Sequence, residues 1–143
     1  MTIQDEIREH LGVYKPNAVF RYGRNFDTSL NSAIELIEEW FVHLDPVTYE
    51  GFLNDTENTR LVIGILKQDS PDSNYNKDDN LEIDDSIETI QEDAKTFARN
   101  WINDFLDNYP YSAINYTIAP LTRVKNVMSG VLLTVTLNGK PRC

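Results

Sequence analysis

The chain has 143 residues, of which 23 are acidic and 13 basic, for a net charge of −10. So negative a chain excludes general binding to a phosphate backbone, which needs the opposite balance. No unbroken apolar run approaches the ~20 residues of a membrane helix, and the length with 41% hydrophobic content fits one domain over residues 1–143.

The segment MTIQDEIREHLGVYK has no basic stretch followed by an apolar one, so the expectation is a protein that stays in the cell that makes it. Ile3, Ile7 and Leu11 recur at helical spacing, which predicts a short helix ending near Gly12 and stopped before Pro16. Gly23 in AVFRYGRNFD marks a turn. Over SLNSAIELIEEWFVHLDPV the two periods conflict. Leu30, Ala33, Ile34, Ile37 and Phe41 follow a helix, while Trp40, Val42 and Leu44 alternate like a strand. RLVIGILK, residues 60–67, is a β-branched apolar run and predicts a well-buried strand.

Residues 69–80, DSPDSNYNKDDN, consist of turn formers and acids and predict an exposed loop. Asp85 followed by Glu88 resembles a capping box opening a long helix. Ile87, Ile90, Ala94, Phe97, Ala98, Trp101 and Phe105 form its apolar stripe until Asn108-Tyr109-Pro110 stops it. At 1.5 Å per residue, roughly 20 residues reach about 30 Å and cover one face of a small sheet. Ile114, Tyr116 and Ile118 then alternate with polar residues as a half-buried strand, which Pro120 terminates or pushes to an edge. In the last strand, Gly130–Leu137, Val131, Leu133, Val135 and Leu137 share one face and Thr134 and Thr136 the other. Asn138-Gly139 reads as a turn pair. The order of elements gives an α+β domain: a mostly antiparallel sheet covered by one long helix, with a short N-terminal helix.

Charge is unevenly spread. Lys67–Lys95 holds ten acids and three bases, whereas Arg123–Cys143 holds four bases and no acid. The candidates for contact between subunits are therefore Asp78, Asp79 and Glu82 on the acidic side. Arg123, Lys125, Lys140 and Arg142 face them on the basic side, the last two in a tail over residues 138–143.

Reactive chemistry is sparse. The chain carries no glycine-rich phosphate loop, HExxH or CxxC. The single cysteine, Cys143, cannot form an internal disulfide, and with only His10 and His43 the chain lacks a zinc ligand set. Asp72, Asn74 and Asn76 match the first positions of a calcium loop, but Lys77 replaces the turn glycine and Ile83 the bidentate glutamate. The carboxylate pairs Asp104/Asp107 and Asp84/Asp85 have no visible acid-base partner. The sequons at Asn54 and Asn115 mean little without secretion. No catalytic residue, metal or cofactor is expected.

FRYGRNFDTSLNSAIELIEEWFVHLDPV (residues 20–47) and MSGVLLTVTLNGKPRC (residues 128–143) resemble small neck and tail-completion proteins of phages and prophages of Bacteroidetes-type hosts. The shared features are an early F-x-Y-G, a strand ending in L-D-P, a long helix with a buried aromatic, and a closing G-V-x-x-x-x-x-L…P-x-C. The resemblance implies a virion structural protein of the head-to-tail junction, a neck-ring or tail-terminator subunit. It would assemble as a homo-oligomeric ring of six or twelve copies against neighbouring neck, portal or tail proteins, with DNA passing through unbound. It also favours a strand over Trp40–Asp45 preceded by irregular chain, while the local pattern over 28–40 leaves helix open. The rival expectation from charge is an acidic inhibitor or DNA mimic that occupies a basic groove on a host enzyme.

Overall fold

The computed structural model describes residues 2–22, 40–51, 57–68, 81–125 and 128–139. The expected turn at Gly23, the contested residues 28–39, the loop 69–80 and the tail beyond Gly139 lie outside them.

Helix α1, Ile3–Tyr14, opens on a reciprocal cap in which the Thr2 hydroxyl accepts from the Asp5 amide at 3.2 Å and the Asp5 carboxylate accepts from the Thr2 amide at 3.3 Å. The Thr2 hydroxyl, donating to the Asp5 carboxylate at 2.8 Å, and then the Thr2 amide hold the Asp5 carboxyl below its usual range. The helix runs through Gly12 to Tyr14, two residues beyond the expected stop, because a helical glycine costs only about 1 kcal/mol and Leu11 and Tyr14 still pack on the core.

Strands β1 (Val19–Tyr22), β2 (Phe41–Leu44), β3 (Thr48–Gly51) and β4 (Glu57–Gln68) are followed by helix α2 (Leu81–Asn108), then β5 (Tyr111–Lys125) and β6 (Met128–Gly139). They form one six-stranded sheet in the order β1-β2-β4-β6-β5, with β3 also on β4. Among the described strands, only β1 and β2 run parallel. The chain is therefore an α+β domain with a mixed, mainly antiparallel sheet, as the pattern of elements implies.

β2 and β3 lie end to end along β4. Leu44 pairs with Ile63 and Thr48 with Arg60, so the three residues Asp45–Val47 stand opposite the two residues Leu61 and Val62. That is a β-bulge. Pro46 has no N–H for the ladder, so the break falls there, and the Asp45 amide keeps one bond to the Val62 carbonyl at 2.9 Å. The extra residue swaps the faces, leaving Leu44 buried and Thr48 exposed on the opposite side.

The core lies between α2 and one sheet face. Leu61, Ile63 and Ile65 of β4 and Val131, Leu133, Val135 and Leu137 of β6 meet Ala94, Phe97, Ala98, Trp101, Ile102 and Phe105 of α2, with Ile3, Ile7 and Leu11 of α1 beside them. The expected stripe of α2 is buried except for the half-buried Ile90, and the inward set of the last strand is buried throughout. Two further boundaries differ. Helix α2 begins at Leu81, so Asp85 lies inside it and does not cap it; good helix formers and acids in the first turn extend it backwards. Asn138 and Gly139 do not turn but continue β6, paired with Ser112 and Tyr111 on one side and Asn58 and Glu57 on the other. Two flanking strands that long override the local turn preference. β5 runs on through Pro120, which the outer position of β5 permits.

A second, smaller cluster of Phe41, Leu66 and Met128 is buried on the other face. There Gly130 is obligatory, because a Cβ would lie 1.9 Å from the Ile65 carbonyl oxygen. At Gly12 a Cβ meets nothing within 4 Å.

Two outcomes follow. Trp101→Ala should cost ~3–5 kcal/mol and leave little folded protein, read by thermal or urea melting. Gly130→Ala should abolish the cooperative melt, whereas Gly12→Ala should hold or raise stability by up to about 1 kcal/mol.

Candidate functional site

Three of the seven residues singled out by charge fall within the described residues. Glu82 lies in the first turn of α2 and Arg123 and Lys125 at the end of β5, while Asp78, Asp79, Lys140 and Arg142 fall outside the described residues. The basic stretch begins later than residue 138, since Asn138 and Gly139 belong to β6.

Three surface features are well defined. The first is the outer sheet face, opposite α2. The register aligns Thr48, Arg60, Thr136 and Asn115 across four strands, with Thr134 and Thr117 in the next row. With Glu50 and Asn58 these side chains line a shallow depression of about 490 Å³. Thr and Asn make up six of its eight lining residues, and Glu50 and Arg60 are the charged two.

The second is the seam between the helices. His10 Nε2 lies 2.6 Å from Asp104 Oδ2, and the ring is 7% exposed. Tyr14 stacks on it with centroids 5.8 Å apart, and Trp101, Phe105 and Tyr109 present their edges or faces at 5.6–6.1 Å. Asp104, half of the carboxylate pair noted in the sequence, thus has an acid-base partner 94 residues away. No local spacing announces that pair, because it exists only once α1 lies against α2. With Asp104 accepting, Nε2 carries the proton. Nδ1 is buried and finds no hydrogen-bond partner, so neither ring nitrogen is open to a substrate and the dyad reads as a clasp. Burial, then the nearby Asp104 charge, pushes the Tyr14 hydroxyl pKa up; burial, then Glu9 and Glu6, does the same for Tyr109. Close by, the Tyr111 hydroxyl donates to Glu6 at 3.0 Å, and Gln4 donates to the Tyr22 hydroxyl at 3.1 Å, so α1 is tied to strands as well as to α2.

The third lies beside Trp40 and Phe97, where Lys67 and Lys15 sit over the two rings at 5.4 and 5.7 Å. These contacts hold two of the few cations against aromatic faces. Among the described residues no group of three or more His, Cys, Asp or Glu comes together to hold a metal, and no described helix is long and apolar enough to cross a membrane.

No protein-family model matches the chain, and no curated protein is significantly similar to it.

Asp104→Ala should leave His10 buried without its acceptor and cost about 1–3 kcal/mol. His10→Ala should cost at least as much by adding a cavity. If urea melts of both variants match the parent, the pair is not a clasp.

Proposed function

We propose that the chain is a virion structural protein of the head-to-tail junction, a neck-ring or tail-terminator subunit working as a homo-oligomeric ring of six or twelve copies around the DNA channel. It meets neighbouring neck, portal or tail proteins and lets DNA pass without specific binding. The observation that carries this reading is the division of the surface. The outer face of α2 carries the exposed acids Glu88, Glu92, Asp93 and Asp107, while the polar half of the opposite sheet face is a nearly uncharged wall of Thr and Asn. Neutral walls suit packing between subunits, and acids turned toward a channel repel a phosphate backbone and keep it moving. The resemblance of residues 20–47 and 128–143 to neck and tail-completion proteins supports the same reading, with Phe20, Leu44 and Val131 of its motifs at core positions.

A ring closes through heterologous contacts, in which one patch meets a different patch of the next subunit. Exposed ion pairs between the acidic and basic segments contribute only ~0–1 kcal/mol each, so they orient the contact while apolar and hydrogen-bonding surface supplies its affinity. Electron microscopy of particles carrying the tagged chain is the test. Density for six or twelve copies between head and tail is expected. A single-copy position, or no association with virions, would overturn the assignment in favour of an acidic inhibitor of a host enzyme.

A further inference from the structure

Between Asp107 and Arg123 the chain carries no charged residue, although charged residues make up 25% of its composition. This stretch is most of β5, and among the described strands β5 pairs only with β6. Natural sheets usually blunt such an edge with charge, a proline or a bulge, because its unpaired N–H and C=O groups template another strand. β5 has devices at its two ends only. A register shift falls between Ala113 and Asn115, Pro120 interrupts the donors, and Gln91 Nε2 covers the Leu121 carbonyl at 3.0 Å. Asn115–Ala119 is left between them, with Tyr116 at 42% exposure among the few large exposed hydrophobic side chains.

We propose that two copies of this chain pair antiparallel through Asn115–Ala119 of β5, with Thr117 on the two-fold axis, to make one continuous sheet. The occupant is a second copy because this run is complementary to itself. In that register Thr117 faces Thr117 of the other copy, a hydroxyl pair on the outer face. Tyr116 faces Ile118 and Ile118 faces Tyr116, two aromatic/β-branched pairs on the helix side, and such cross-strand pairs are among the favourable ones. A one-residue slip would set Tyr116 or Ile118 against the wrong face, so the pleat itself specifies the register. The strip is also where two copies each of net charge −10 meet without bringing acids together. The contact is isologous, so it makes a dimer by itself and goes beyond the ring, whose closure needs a separate heterologous contact.

The full chain, mass 16.5 kDa, is followed by sedimentation equilibrium over about 1–500 μM, a span suited to weak edge contacts. The average mass should climb toward twice the monomer. Thr117→Lys sets two like charges opposite each other and should weaken the dimer at least ~tenfold. Asn103→Lys places the same charge on the exposed side of α2; it lowers the net repulsion and should leave association equal or stronger. Should Thr117→Lys misfold, Thr117→Cys in a Cys143→Ser background reads the same register. Opposed Cα atoms lie roughly 4.5–5.5 Å apart, within disulfide range, so mild oxidation should give a covalent dimer that Thr136→Cys, inside the sheet, does not. A chain monomeric at every concentration, with no cross-link formed by the Thr117→Cys variant, overturns the proposal, as does a dimer that Thr117→Lys leaves intact. Particle microscopy that finds the chain outside the virion rejects the proposed function alone.

Discussion

The structure depends on one contact, the seating of α2's aromatic stripe on the odd-numbered residues of β4 and β6. Phe97, Trp101 and Phe105 fall one turn apart along the helix, and Trp101 and Phe105 stack with centroids 5.3 Å apart. Phe105 in turn stacks on Tyr109 and Tyr111, at 4.7 and 6.1 Å, so the stripe continues across the helix end into the start of β5. Each such pair adds about 0.5–1.5 kcal/mol beyond the burial of its area. Because α2 occupies the middle of that face, α1 is left a narrower seat. It holds there through Ile3, Ile7 and Leu11 and through the polar links to Asp104, Tyr111 and Tyr22.

Placing both described helices on one face sets the terms for the other. β2 is buried on both sides, Val42 and Leu44 toward α2 and Phe41 and His43 away from it, so its alternating inward set is flanked by an outward pair that is buried as well. The bulge at Asp45–Val47 then lets the same edge of β4 be followed by β3, whose four residues are exposed. One inserted residue thus divides the outer face into an apolar end around Phe41 and a polar end around Thr48. Gly130 belongs to the apolar end for a related reason: only a residue without a Cβ lets β6 approach the Ile65 carbonyl this closely.

Elements carried by a strong period were legible in the sequence. The stripe of α2, the inward set Val131–Leu137 and the apolar run of β4 all follow from spacing, because burial of a whole face dominates the choice of element. Boundaries were less so, since the end of α1, the start of α2 and the fate of Asn138-Gly139 are set by neighbouring strands and core contacts that local propensity does not see. The strand reading of Trp40–Asp45 agrees with Phe41–Leu44 as β2, where local periodicity alone was balanced. The parallel β1–β2 pair had no local signal. The His10–Asp104 clasp was illegible for a topological reason: its partners lie on different helices, and each alone resembles an ordinary polar residue on a wet face.

The arrangement of charge narrows how such a molecule meets its neighbours. Two unit charges 10 Å apart in water repel by only about 0.4 kcal/mol, and a Debye length near 8 Å at physiological salt reduces that further. Any single acid on α2 is therefore a weak barrier to association. A chain of net charge −10 nevertheless sums many such terms when acidic faces are opposed, whereas an approach through the sheet layer opposes almost none. The sheet layer also supplies what charge cannot. Backbone groups at its edge have fixed directions, and Thr and Asn side chains hydrogen-bond without a large desolvation cost. Contacts made there would be selected by register and shape, while the exposed acids of α2 would oppose the approach of an anion.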